Sequence, residues 1–570
     1  MEQTHPDTRQ ALIHRARAGS RLRVSRVVSD PIVVTLALLV SHLSSAVPAL
    51  GAQHPLVSIP LADPVYVQLR GLTQSGCRAA RVSPYRPYSA GAIRSALRAA
   101  EGHPACSGSV MTALRARFLG STEPLAADST ARDSVLRGFS LGLLASVRGT
   151  GLSGGEFRPL WRDVRSTSEG DPPAVGTMYG RATWSGGPPV VAVIEGYAQS
   201  HRRNDPRVRA GGLRSTSGVV DFREAYITGQ LGALMVSVGR GAEAWLASGD
   251  ESLAIASHAP PLDRILLTAK VKGFEGRAFI ATIDDETMTA EDDGLPAGAA
   301  PIRFRRLLLG HALTFATRSG FEATLGETAV ISRGSSTFDL AFMNPLMLYV
   351  VTQNDEANEE DAQDNLALFG AVRVPVGRAS FDAELFVDDF QLDEGDREIF
   401  PHQLAWRAAA TFGVAASIPA SATVDYRRVD GFTYLRSAYP AVLQSYDEPI
   451  GSELGPDSDM FRVGGEAWVS GRSRVHASIG YWRRGAQRID ERPGVGASGH
   501  ANDPYPTVTP ERPEVQRGPI VVAGTDWLGS ALRGAVRIEA ARLENTNNLA
   551  SPTRTLARFV IDVSYAFRYP

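Results

Sequence analysis

The segment that most constrains this chain is its last fifteen residues, 556–570, which read LARFVIDVSYAFRYP. Phe559, Ile561, Val563, Tyr565, Phe567 and Tyr569 fall on one face of an extended strand, and Arg558, Val560, Asp562, Ser564, Ala566 and Arg568 on the other. Side chains on a strand alternate with period two. One face is therefore wholly apolar and aromatic, and no later segment is there to cover it. A bilayer would cover it, as it covers the closing strand of an outer-membrane β-barrel. Taken alone, the segment also fits the terminal strand of a soluble sandwich.

The start of the chain favours export. Arg9, Arg15, Arg17, Arg21, Arg23 and Arg26 precede an apolar run, Ile32 to Val40, and small residues follow to Ala52. Basic, apolar, small is the order of a secretory signal, which places a signal peptide at residues 1–52. The apolar run is shorter than the roughly 20 residues a transmembrane helix needs, and no other segment meets that length. Export without a helical span leaves the periplasm, secretion or the outer membrane.

Composition agrees with a barrel that has a wet interior: 43% of the 570 residues are hydrophobic, and 55 Gly and 35 Pro imply many turns. The net charge of −2 gives no reason to expect nucleic-acid binding. Lys270 and Lys272 are the only lysines. The arginine bias reads first as genome composition, and second as planar, bidentate contact with carboxylates or phosphates. Cys77 and Cys106 form an even pair in an exported region, so a disulfide is expected. Such a bond stabilises by about 3 kcal/mol. Too few ligands lie near it for a metal, and no cofactor is implied.

Two parts follow the signal. Residues 53–130 read as a small periplasmic α-helical module. Asp63-Pro64 starts one helix with Leu69 and Leu72 on its apolar side and Gly76 at its end; Ser89 caps a second; Ser109 caps a third carrying Met111, Leu114 and Phe118. From Arg137 the period changes to two. Phe139, Leu141 and Val147, then Phe381 and Leu385, then Val475, Ile479 and Tyr481, then Leu532, Val536 and Ile538 each share a face opposite polar residues. Charges on the second face are costly in a dry sandwich core and cheap in an aqueous lumen. The expected fold is an all-β transmembrane barrel of about 18 antiparallel strands over residues 131–570, with the α-helical module at its N-terminus. The polar stretches 201–217, 352–364, 391–401, 446–459 and 487–516 read as outer loops.

Several segments resemble the Wzi-type capsule assembly family. They are Asp221 to Tyr226, the run from Val236 to Asp263, and FMNPLMLYVVTQNDEANEEDAQDNLALFGAVRV from Phe342 to Val374. Gly239, Arg240, Trp245, Gly249, Ser252, Leu253, Ser257, Ala259 and Pro260 match the earlier part of the pattern. Asn344-Pro345 and Asp364-Asn365 match the later part, and Arg86-Pro87-Tyr88 is similar at the N-terminus. The chain departs where the family often has paired tryptophans before Gly-Pro-Gly; here Trp245-Leu246 precedes Ala247-Ser248-Gly249. The resemblance implies an outer-membrane barrel of about eighteen strands, a helical bundle on the periplasmic side, and a part in tethering or organising surface polysaccharide.

No HExxH, GxSxG, Walker loop or CxxC pair is present, so no catalytic residues are expected. His201, His258, His311, His402 and His476 are scattered and read as polar lumen or loop residues, although His311 leaves an outer-membrane hydrolase as a distant alternative. The acidic run from Asn354 to Asn365 has oxygen ligands suited to Ca²⁺ but lacks the glycine turn of a calcium loop, so a solvated loop is the expected reading. Sugar recognition needs aromatic faces beside guanidinium and carboxylate groups. Trp245 with Arg240 fits that need, and Arg303, Arg305, Arg306, Arg533 and Arg537 are further candidates to attract an acidic polymer. Singly, each is expected to be structural, with Arg240 paired to Asp382 or Glu384 and Trp245 packed in a folded loop. The expected function is non-enzymatic binding or organisation of exported polysaccharide or lipopolysaccharide by a monomeric barrel in the outer membrane, in contact with its lipid. The alternative is a diffusion channel for small anionic or sugar solutes.

Overall fold

The alternating segments pair into a closed, antiparallel β-barrel. In the computed structural model the described residues are 54–120, 137–153, 174–186, 189–200, 213–214, 218–246, 251–288, 300–333, 344, 347–349, 363–389, 402–414, 419–435, 441–446, 448–485, 489 and 515–567. The export signal expected at 1–52 lies outside them, as does Pro345. Eighteen long strands build the wall: β1 Arg137–Ser153, β2 Ala174–Gly186, β3 Val190–Ser200, β4 Gly218–Leu231, β5 Leu234–Gly241, β6 Leu262–Val271, β7 Phe274–Thr282, β8 Ile302–Ala316, β9 Glu322–Arg333, β10 Gln363–Val376, β11 Ala379–Asp389, β12 Gln403–Val414, β13 Ala420–Val429, β14 Ser458–Ser470, β15 Ser473–Arg484, β16 Gln516–Leu528, β17 Leu532–Leu543 and β18 Arg554–Phe567. Each pairs with the next, and β1 closes the ring on β18 with Ser146 opposite Ser564. Closure removes the exposed strand edges that a bilayer does not tolerate.

The period-two pattern sorts side chains as the sequence requires. Phe139, Leu141, Ile265, Phe381, Ile479, Val536 and Ile561 point outward and are exposed on the isolated chain. On β18 the terminal apolar face, including Phe559 and Val563, is outward. Arg558 of its other face is buried inside, donating to the Glu539 carboxylate at 2.8 and 2.9 Å. The belt of apolar side chains is the lipid-facing surface of an outer-membrane barrel.

The two ends differ. Short turns at 232–233, 272–273, 317–321, 377–378, 471–472 and 529–531 alternate with long connections, among them 242–261 and 430–457. Short turns mark the periplasmic end and long ones the outer end. Three helices, α1 Val65–Gln74, α2 Ala90–Ala99 and α3 Ser109–Phe118, sit against the short turns. Gln68 donates to the carbonyl of Gly471 at 3.1 Å, and Arg81 to that of Gly320 at 3.0 Å. Glycine is needed at Gly471, where a Cβ would lie 2.1 Å from the carbonyl oxygen of Ser109. The Asp63 carboxylate accepts from the Val65 amide and takes a bidentate grip from Arg117 at 2.8 and 2.7 Å. Ser89 caps α2. Ser109 is not a cap: it is the first residue of α3, and Gly108 holds the cap position at φ 113°. Cys77 and Cys106 are joined in a disulfide that ties the end of α1 to the approach of α3.

One expected loop is placed differently. Within 446–459, read as an outer loop, the described residues are buried or nearly so, and Gln444-Ser445 pairs with Glu448-Pro449 in a small hairpin. The stretch does not extend into solvent; it folds back into the barrel. The expected loop 352–364 also ends early, since β10 begins at Gln363.

Candidate functional site

The lumen is filled by segments that enter from both ends. From the outer end, 251–261 turns inward because its apolar run Leu253-Ala254-Ile255-Ala256 finds an apolar landing on the inner wall, where Phe279, Phe369, Phe386 and Trp482 are buried. Trp245 sits at the centre with no exposed surface, edge-on to Tyr85 and Phe279 at ring distances of 5.6 and 5.2 Å. Its indole N–H donates to Glu243 at 3.1 Å. Gly310 leaves room for the indole, since a Cβ there would lie 3.1 Å from it. From 430–457, Tyr434 donates its hydroxyl proton to the Leu253 carbonyl at 2.7 Å, and the Ile450 carbonyl accepts from the Ala256 amide at 2.9 Å. Together the described residues of 242–261 and 430–457 form a plug.

Charges fasten this plug to the wall. Glu251 pairs with Arg462, with Arg407 at 3.2 Å and with Arg427 at 3.9 Å; Asp425 completes the cluster by taking Arg407 at 2.7 Å and Arg427 at 3.1 Å. Glu243 takes Arg264 and Arg277, both at 2.7 Å. Arg306 donates to the carbonyls of Val442 at 3.3 Å and Gln444 at 3.0 Å. Buried charges are tolerable only when paired in this way. Burial alone would raise the Glu251 carboxyl; Arg462, Arg427 and Arg407 outweigh it and hold the group well below the usual carboxylate range.

From the periplasmic end, the N-terminal segment reaches up to meet the plug. The Arg86 amide donates to the Ala244 carbonyl at 2.8 Å, and the Ala244 amide returns the bond to the Arg86 carbonyl at 3.0 Å. The Thr314 hydroxyl donates to the Tyr85 hydroxyl at 2.8 Å. Below, the fully buried Arg181 joins Glu195 at 2.9 Å and Glu224 at 2.6 Å and donates to the Ser58 carbonyl at 2.7 Å. Leu56 and Val57 bury against Val191, Val193 and Tyr226 of the wall.

The residues singled out from sequence divide between the ends. Arg240 lies at the outer end of β5; its partners are Asp263 at 2.6 Å and Asp221 at 3.7 Å, not Asp382 or Glu384. Those two acids serve Arg373 and Arg407. Arg303 and Arg305 stand exposed at the outer end of β8, Arg303 against Asp285 at 2.6 Å with three quarters of its side chain free. Arg305 lies across from Arg333. Trp245 offers no ring face to solvent, because the aromatic core around it takes every face. Arg533 and Arg537 lie near the periplasmic end, Arg533 at 3.6 Å from Asp63 of the helical module and Arg537 at 3.6 Å from Glu539.

The family-like positions are dispersed. Gly239 has φ 119°, and a Cβ there would strike the Ala225 carbonyl at 2.2 Å. Asn344 is exposed, while Asp364 and Asn365 are buried on β10. The acidic residues 354–362 lie outside the described residues. His311 is neither a lumen nor a loop residue but lies on the outward face of the wall: Thr314 points in, so odd-numbered residues of β8 point out, as the exposed Leu313 shows. It pairs with Glu327 at 3.3 Å, and that carboxylate also accepts from the Tyr349 amide at 2.6 Å. Sequence reasoning missed Glu243, Glu251, Asp425, Arg427 and Arg462. For Asp425, Arg427 and Arg462 the available signal was the polar face of their strands, which marks inward charges without naming their partners; Glu243 and Glu251 lie in a connection, where alternation gives no signal.

A family model described as capsule assembly protein Wzi matches residues 175–503. Among solved structures, the chain is similar to the Escherichia coli outer-membrane protein Wzi, described as a carbohydrate-binding β-barrel involved in group 1 capsule assembly. The identity is 12%, the TM-score is 0.54, and the match covers 89% of this chain and 99% of that one. Pseudomonas aeruginosa OccD3 matches at 10% identity and TM-score 0.42, over 75% of this chain and 91% of its own. OprD of the same organism matches at 12% and 0.41, over 75% and 95%. No curated protein is significantly similar to the chain.

Proposed function

The chain belongs to the Wzi capsule assembly family, and we propose that it is a non-enzymatic, monomeric outer-membrane barrel that binds surface polysaccharide and organises it at the cell surface. The observation that carries this reading is the filled lumen. Trp245, Leu253, Ile255, Tyr434 and Ile450 occupy the interior where a diffusion channel would need water. The plug is fastened by Glu243 and Glu251 to five wall arginines. Such a barrel acts through its outer rim. There the exposed Arg303 and Arg305 offer guanidinium groups of the kind that bind carboxylate and phosphate bidentately, while the fork of Arg240 is taken by Asp263. The ligand is an exported polysaccharide, or lipopolysaccharide beside the wall.

The test has two readouts. The purified mature protein in a planar bilayer gives no steady open-channel current; a stable conducting state would favour the diffusion channel. Cells carrying Arg303→Ala with Arg305→Ala retain several-fold less surface polymer than wild type at equal barrel abundance. Unchanged retention in those cells and in a deletion strain would end the polysaccharide reading.

A further inference from the structure

Surface binding makes no use of the space beneath the plug. Between the helical module and the underside of the plug lies a cavity of about 330 Å³, at the low end of small-ligand sites. Its lower wall includes Gly320, Gly377 and Arg378 of the short turns, so it lies toward the periplasm; Glu251 of the plug forms part of its roof. The lining is unbalanced in charge, with nine arginines against three carboxylates. All three acids are already engaged: Asp382 by Arg373 at 2.5 Å, Glu466 by Arg474 at 2.7 Å, and Glu251 by Arg462. Glu322, Asp425 and Asp526 behind the lining answer part of the excess, through Arg81, Arg407 and Arg474. Glu384 reaches Arg407 as well, so the excess lies with Arg78 and Arg378 at the rim. Arg78, at the rim, donates to the carbonyls of Ser319 and Gly377, which orient its guanidinium without cancelling its charge. Arg378 follows Gly377 in the same turn and is exposed.

The rest of the lining suits a sugar. Thr73, Thr411, Ser421 and Thr423 supply hydroxyls, and the half-buried Tyr88 supplies a ring. Hydroxyls and an aromatic face read a pyranose, while guanidinium groups read a carboxylate. We propose that this cavity is a periplasm-facing site for an acidic saccharide, a uronic-acid unit of one or two sugars. This deepens the polysaccharide reading by naming the acidic class, and it rests on that reading only for where the ligand comes from.

The experiment is calorimetric titration of the full mature barrel in detergent with three probes: a glucuronate-containing disaccharide, a neutral glucose disaccharide, and inorganic phosphate. The acidic disaccharide binds, the neutral one does not, and Arg378→Glu weakens binding by about tenfold or more, as does added salt. Arg378 lies in an exposed turn, so this variant folds, and heat-modifiable gel mobility verifies it. Equal binding of both disaccharides, or no loss in Arg378→Glu, overturns the proposal. Phosphate binding as tightly as the acidic disaccharide overturns the saccharide assignment and leaves a simple anion site. Surface-polymer retention is scored in the same variant. Retention that persists while disaccharide binding is lost shows that the cavity is distinct from the rim. A wild-type barrel that retains polymer but binds no disaccharide sinks the cavity alone.

Discussion

The barrel is stopped at both ends, and the two stoppers are held by different forces. On the outer side, the plug is fixed by carboxylates set among wall arginines, Glu251 among Arg407, Arg427 and Arg462, and Glu243 between Arg264 and Arg277. On the periplasmic side, several fastenings run from side chains to main-chain oxygen, as Gln68 to Gly471, Arg81 to Gly320, and Arg78 to Ser319 and Gly377. Carbonyl oxygens cannot be titrated and belong to the strand turns whatever residues occupy them. Carboxylates can be neutralised, mutated or outcompeted. The outer stopper is therefore the more conditional one; the inner one adds to these main-chain bonds the ion pairs of Arg81 with Glu322 and of Arg533 with Asp63.

Three changes would break or sharpen that contrast. The largest effect is expected for Trp245→Ala, which empties the aromatic contacts among Tyr85, Phe279 and Phe369. Loss of a buried tryptophan costs about 3–5 kcal/mol. Because Trp245 touches both stoppers, chemical denaturation in micelles should show the whole lumen core weakened; a loss under about 1 kcal/mol would mean that the core repacks freely.

Next comes Glu251→Gln, which leaves three guanidinium groups around an amide. Removing one partner of a buried pair costs about 3 kcal/mol. Here the cost should fall on the plug alone and appear as transient conductance in a planar bilayer while the helical module stays docked. The pH response carries the same information. The Glu251 carboxyl is held well below its usual range, so its contribution is complete above the unfolded value near 4.5 and is lost only as pH falls through the lower, folded value. Acidifying from pH 7 to 5 should leave the plug shut; opening within that interval would remove Glu251 as its fastener. The smallest effect is expected for Gln68→Ala, which deletes one neutral hydrogen bond and should cost about 1 kcal/mol, read as a small shift in denaturation midpoint with no conductance.

The wall was legible from sequence, since lipid outside and polar groups inside enforce period two over every strand. Phe139, Phe381, Ile479 and Phe559 lie on the outward face that alternation assigns them. The first two helix starts were legible for a local reason too, because Asp63 and Ser89 bond amides within three residues. The third start was misassigned because Gly108 supplies the turn through its backbone and carries no capping side chain. The plug was not legible. Asp447, Glu448, Glu453 and Asp457 make 446–459 look like a solvent loop, and only contacts from distant strands show otherwise. Tyr434 supports a segment almost two hundred residues earlier, and Arg427 answers Glu453 from the wall. Trp245 and Arg240 stand close in sequence, yet the first is in the aromatic centre and the second on the outer rim, because the chain turns inward after β5.

The backbone pairing of Arg86 with Ala244 gives the molecule an axial splice. One strand of that splice arrives from the periplasm, and the other from the cell exterior. A pull on the outer plug would travel down it, past the lipid-embedded cylinder, into three short helices cinched by a covalent Cys77–Cys106 strap. The anchor that resists such a pull would thus lie on the opposite side of the membrane from where it is applied.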